Sequence, residues 1–242
     1  MKPVLGKQGE KYFRWRGKDV SRTENLSDIV FAMALALIVA SSVPTSFTEL
    51  TDLWREAIAI AICFALLLMI WHIHFVFFRR YDLEDNLTIF LNSVLMFLVM
   101  AFVYPLKFLF LFLINFFTGN FENQQDIVPI LTTQQAPWVS VIYSLGYAAV
   151  FVIFTAMYIH ALRQADALGL NSAEIALTRT AIFSNLVHIA MAALVILVAM
   201  LLPDSEGLRA SALYCFIGIP LAILAHLGRR KAKAALAADK ES

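Results

Sequence analysis

The chain has 242 residues, of which 60% are hydrophobic and only 15% charged, and its mean hydropathy is +0.74. Soluble domains run at about 45–50% apolar and about 25% charged residues, so a water-soluble enzyme and a disordered chain are both excluded. The formal net charge of +1 says little, whereas the placement of the charges says much.

The opening residues are polar and aromatic. Over 10–20, Tyr12, Phe13 and Trp15 alternate with Lys11, Arg14, Arg16 and Lys18. Such a mixture suits an amphipathic segment on the inner membrane surface, and equally a basic tail beside the membrane. No short apolar region with a small-residue cleavage site follows a basic start, so a cleavable signal peptide is not expected.

A spanning helix needs about 20 mostly apolar residues. Six runs qualify, over 28–43, 53–78, 87–112, 138–160, 180–202 and 208–227. They are too long for strands and lack a period of two. The loop over 115–137 is rich in Asn, Gln and Thr, has no Lys or Arg, and reads as a cap on the outer face. Residues 232–242 read as a frayed helical end. The two halves show no repeat of the kind that marks inverted-repeat transporters.

The charges set the orientation. All of the 19 Lys and Arg residues except Arg55, Lys107 and Arg209 fall before the first run, after the second, after the fourth or in the tail. Basic loops stay cytoplasmic, which puts both termini inside. The chain is thus predicted as an all-α integral membrane protein with six transmembrane helices per subunit. Residues 1–27 form a cytoplasmic N-terminal segment, 28–227 the membrane domain and 228–242 a cytoplasmic basic tail.

Ionisable residues deep in the bilayer mark proton relays and coupled ion sites. The middle of every run lacks Asp, Glu, Lys and Arg, and Lys107 lies toward an outer end. His188, with Asn185 one turn earlier, is more often a bond between helices than a relay. A charge-coupled pump and a voltage sensor are disfavoured, and a TVGYG carbonyl filter is absent. No phosphate loop, nucleophile triad or carboxylate pair appears, so no enzyme is expected. Cys63 and Cys215 sit in apolar runs without a CxxC or a His/Cys cluster, and no metal or cofactor site is indicated. His72 and His74 lie two residues apart, about 200° around a helix, and cannot readily share one ion.

Polar residues gather where the first run enters the membrane. Arg22, Thr23, Glu24, Asn25, Ser27 and Asp28 precede it, Trp71 and His74 close the second run, and Asn86 and Asn92 open the third, which Pro105 interrupts. Singly these are helix caps, a positive-inside anchor and an interfacial aromatic. Together, Arg22, Asp28, His74 and Asn92 would need partners at one depth, and a network pinning the first run against the second and third would satisfy them.

The pattern Arg22-x-x-x-Leu26-Ser27-Asp28 resembles the R-x-x-x-F-S-D signature of the transmembrane protein 175 family, the endosomal/lysosomal potassium channels and their bacterial six-span homologues. It departs from that signature in Leu26 for Phe. Trp71-x-x-His74 is similar to the family's second-span W-x-x-H, and Asn92 and Pro105 fall where its third span carries Asn and Pro. The likeness covers the first three runs by motif and the last three by topology.

The resemblance implies a homotetramer in a bacterial inner membrane, with membrane lipids and no nucleic acid as partners. Its pore would lie on the axis, lined by the first helix. Arg22, Ser27, Asp28, Trp71, His74 and Asn92 would brace that helix outside the ion path. The pore face would carry Met33, Ala36, Leu37 and Ala40, one stripe by helical spacing. By distance from Asp28, the family's apolar constriction falls on Met33 and its usual Thr layer on Ala36. Alanine has no side-chain oxygen to replace hydration water, which weakens the expected preference for potassium over other monovalent cations. Ser41 and Ser42 would rehydrate an emerging ion. The second reading is a secondary transporter for a small solute, with a site between helices 3, 5 and 6 built from Pro105, Pro220 and the Asn185/His188 pair.

Overall fold

The computed structural model describes residues 12–39, 47–118, 135–203 and 206–241. The elements are α1 (Arg22–Val39), α2 (Phe47–Tyr81), α3 (Asn86–Thr118), α4 (Ala136–Arg163), α5 (Ser172–Leu201), a 3-10 helix (Gly207–Phe216) and α6 (Gly218–Glu241). Among the described residues there is no strand. Five segments are long and apolar enough to cross a membrane: Ala57–Tyr81, Asn86–Val103, Pro137–Arg163, Ser172–Leu201 and Gly207–Ala238. Arg22, Glu24 and Asp28 load the first turns of α1 with charge, and its 18 residues reach about 27 Å.

The elements differ from their expected bounds at several places. α1 starts at Arg22 rather than at 28, because Ser21 Oγ accepts from the Glu24 amide as an N-terminal cap, at 3.1 Å. Ala40, Ser41 and Ser42 lie outside the described residues, as do residues 119–134 of the loop expected on the outer face. The sixth run is not one α-helix. It opens as the 3-10 helix and continues as α6, which carries the basic tail to Glu241 instead of fraying at 232. α5 begins eight residues before 180 because Asn171 and Glu174 form a capping box.

Of the N-terminal segment, the described residues begin at Tyr12 and precede α1 without forming a helix. Residues 13–18 have no helix or strand and run across the ends of α2 and α5 as a strap. The Arg16 and Gly17 amides donate to the Arg79 carbonyl at 3.0 and 3.2 Å, and Arg79 Nη1 returns a bond to the Gly17 carbonyl at 3.2 Å. Phe13 is buried edge-on against Tyr81 and lies 4.7 Å under the Arg80 guanidinium. A side chain at Gly17 would meet the Phe78 carbonyl oxygen at 2.9 Å, so the strap can lie this close only on glycine.

One apolar core joins α1 to α2, α3 and α4. Phe31, Ala34 and Ile38 of α1 enter it beside Phe77, Leu95, Val99, Phe151 and Phe154. α4 packs between α3 and α5, and α5 carries α6. Gly146 lets Phe102 of α3 lie directly on the α4 backbone.

Candidate functional site

The site grows from the two faces of α1. Glu24, Ser27, Phe31, Ala34 and Ile38 recur every three or four residues and are buried. On the opposite face Leu26, Ile29, Met33 and Leu37 are 60%, 52%, 53% and 40% exposed. Arg22 and Ala36 are exposed there too.

The buried face carries a directed hydrogen-bond chain. The Ser27 hydroxyl donates to the Thr23 carbonyl at 2.9 Å, since a carbonyl can only accept. Ser27 Oγ then accepts from Asn92 Nδ2 at 2.8 Å. Asn92 Oδ1 is left as an acceptor for His74 Nε2 at 2.9 Å. That order fixes the neutral His74 tautomer with its proton on Nε2. His74 Nδ1 is buried and has no partner among the described residues. Trp71 Nε1 donates to Asp28 Oδ1 at 2.8 Å, so two bonds from α2 and α3 hold adjacent residues of α1. Phe31 packs edge-on to the His74 ring.

Of the expected network, Ser27, Asp28, Trp71, His74 and Asn92 come together, and Arg22 does not. Arg22 makes no hydrogen bond or ion pair with any described residue. The arginine that does hold α1 is Arg79, whose Nη2 lies 3.4 Å from Glu24 Oε1. Burial raises the Glu24 carboxyl above its ordinary range, partly offset by Arg79. Arg79 also lies 5.3 Å over the Phe75 ring, which stacks on Trp71 and meets Trp15 of the strap edge-on.

A second clamp joins the strap to α5. Glu174 is 1% exposed and takes Arg16 Nη2 at 2.8 Å. Its carboxylate also accepts from Arg16 Nη1 at 3.2 Å, the Arg14 amide at 2.8 Å and the Asn171 amide at 3.1 Å. The rest of the Arg16 fork reaches the Leu168 and Gly169 carbonyls. Between α3 and α4, Asp85 Oδ2 lies 2.8 Å from His160 Nε2. Partial burial disfavours the charged Asp85, but bonds from Thr88 and His160 outweigh it and hold its carboxyl below the ordinary value. The only sequence signal for these clamps was the Asn171-x-x-Glu174 spacing; nothing paired Arg16 with Glu174 across 158 residues.

Two residues of the second reading, His188 and Pro105, are engaged by α4. His188 stacks flat on Phe151 with ring centroids 3.8 Å apart, and Tyr147 bonds its Nδ1. Tyr143 donates to the Pro105 carbonyl. Since α4 lies between α3 and α5, these groups tie neighbouring helices and do not converge on a site between helices 3, 5 and 6. Asn185 Nδ2 is buried without a partner among the described residues. His72 is exposed and stacks on Phe75 while His74 is buried, so the two histidines face apart. Among the described residues no three His, Cys, Asp or Glu side chains are grouped to hold a metal ion.

Comparison with known proteins gives the chain's family. The family described as endosomal/lysosomal potassium channel TMEM175 matches over residues 22–105, the stretch that holds the whole α1–α2–α3 network. A protein of Marivirga tractuosa named potassium channel is 38% identical over 195 residues, 79% of this chain and 79% of that protein. A crystal structure of a variant of the potassium channel MtTMEM175, in complex with a nanobody–MBP fusion protein, matches with a TM-score of 0.77 at 34% identity. It covers 93% of this chain and 99% of that chain.

Proposed function

Because the chain belongs to the TMEM175 family of potassium channels and is an integral membrane protein, we propose that it is a passive cation channel. It conducts potassium, and other monovalent cations less selectively excluded than in a filter of carbonyls, along the axis of a homotetramer. α1 lines the pore. Both termini face the cytoplasm of a bacterium, with the strap and the basic end of α6 on that side and lipids around the outer helices.

One observation carries this reading. α1 is fixed on one face by the bonds of Ser27 and Asp28 and by Phe31, while its other face, from Leu26 to Leu37, is apolar and uncovered on the single subunit. A helix braced so firmly from behind suits a position at the centre of an assembly. Met33 forms the constriction, and a ring of its side chains gates by dewetting: hydrated ions pass when it widens. Ala36 supplies no oxygen one turn above, so selectivity is moderate. No side chain performs covalent chemistry, and no cofactor is needed.

The test is ion flux from liposomes holding the purified protein, with no coupling ion. Met33→Ser should raise the leak, and Ala36→Thr should raise the preference for potassium over sodium. Unchanged conductance and unchanged selectivity in both variants would take α1 out of the ion path.

A further inference from the structure

We infer that Arg22 stands in the ion path: four copies, one per subunit, form an electropositive ring at the inner mouth that throttles cation entry from the cytoplasm. The inference rests on the α1-lined pore proposed above.

Arg22, Leu26, Ile29, Met33 and Ala36 follow one another at steps of four, three, four and three residues, the period that keeps successive side chains on one line of a helix. All five are exposed on the subunit. The bracing residues Glu24, Ser27, Phe31, Ala34 and Ile38 occupy the other face. Arg22 is therefore placed on the Met33 side by the same period that puts Met33 toward the axis. Its position is fixed from both directions, by the strap bonds at Arg16 and Gly17 and by the Ser27 and Asp28 bonds.

Among the described residues no acid pairs with it. Glu24 is with Arg79, Asp28 with Trp71, Glu174 with Arg16 and Asp85 with His160. Asp19, Asp82 and Glu84 are exposed and none of them pairs with Arg22. The family signature alone would place this arginine among the braces, but on α1 that work is done by Arg79.

Four unit charges about 10 Å from a permeating cation in water, screened over a Debye length of about 10 Å at 0.1 M salt, lower the local cation concentration roughly threefold. At 1 M the Debye length is about 3 Å and the effect shrinks to about a tenth. The ring slows entry from the cytoplasm more than entry from outside, so the wild-type channel passes less outward than inward current in symmetrical potassium.

Single-channel recording in planar bilayers, in symmetrical 0.1 M and 1 M KCl, tests this. Arg22→Gln should raise outward conductance about threefold at 0.1 M salt and leave it nearly unchanged at 1 M. Arg22→Lys should match the wild type. On a Cys215→Ser background, Arg22→Cys in the assembled tetramer should lose outward current with a cationic methanethiosulfonate and gain it with an anionic one, both added from the cytoplasmic side. An unchanged conductance, or a change of equal size at both salt concentrations, overturns the inference. So does loss of the tetramer in Arg22→Gln and Arg22→Cys but not in Arg22→Lys, which would make Arg22 a brace between subunits. Met33→Cys separates the two readings. If the reagents fail to block it, the α1-lined pore itself falls; if they block it while Arg22→Cys is insensitive, only the ring falls.

Discussion

Removing the Glu174 carboxylate is the sharpest test of how the strap is held against α5. In Glu174→Ala, four donors lose their acceptor at once: the two Arg16 guanidinium nitrogens and the Arg14 and Asn171 amides. Truncating one member of a buried ion pair typically costs about 3–5 kcal/mol, because the other charge stays buried and unpaired. Arg16 is better placed than that. It is 15% exposed and keeps the Leu168 and Gly169 carbonyls, so water can reach it and the lower end, about 3 kcal/mol, applies. At about 2–4 °C per kcal/mol for a chain of this size, the melting temperature should fall by about 6–12 °C. The assay is thermal unfolding of the purified protein in detergent. Glu174→Gln keeps the shape and one acceptor but gives up the charge, and should lose roughly half as much. A Glu174→Ala melting temperature within about 1 °C of wild type would refute the claim that this clamp holds strap to helix, as would Glu174→Gln being the worse variant.

Three further outcomes follow from the same geometry. In a cycle of Ser27→Ala and Asn92→Ala, the coupling energy should be about 0.6 kcal/mol and under about 2, the range of hydrogen bonds between membrane helices; zero coupling would break the directed chain from His74 to Thr23. Gly17→Val should lift the strap, because the Phe78 carbonyl 2.9 Å away is backbone and cannot yield; limited trypsin digestion should then cut after Arg14 or Arg16 several-fold faster. Asp85 has a folded pKa below its ordinary 3.8, so it favours the folded state above that value, and the benefit is lost as pH falls through 3.8 toward the folded value. Melting temperature should thus drop below about pH 4 in the wild type, with a smaller drop in Asp85→Asn.

Helices were legible because the bilayer imposes length and composition on them. The runs at 53–78, 87–112 and 138–160 lie inside α2, α3 and α4, since an unbroken apolar sequence can satisfy its backbone in lipid only by coiling. Ends were less legible. The starts of α1 and α5 are set by Ser21 and Asn171, short-range caps outside the apolar runs. The 3-10 opening of the sixth run leaves no hydropathy signal at all. The contacts of the strap were not legible for a different reason: its partners, Arg79 and Glu174, lie about 60 to 160 residues away, which no local period records.

The candidate site shows the same division. Side-chain type and depth were enough to group Asp28, His74 and Asn92, because desolvated polar groups at one level must find each other; Ser27 and Trp71 joined them only through the family resemblance. Depth does not report azimuth, however. Arg22 shares the depth and the signature but sits about a third of a turn or more from Ser27 and Glu24 around α1, and the partner it was expected to be is Arg79. Azimuth also explains why the brace and the proposed constriction can belong to one helix without overlapping. From Asp28 to Met33 the helix turns about 500°, which puts the anchored carboxylate and the thioether more than a third of a turn apart. A rigid helix carries a small rotation at Ser27 and Asp28 unchanged to Met33, so in the proposed channel the network sets the angle at which the Met33 side chains face the axis.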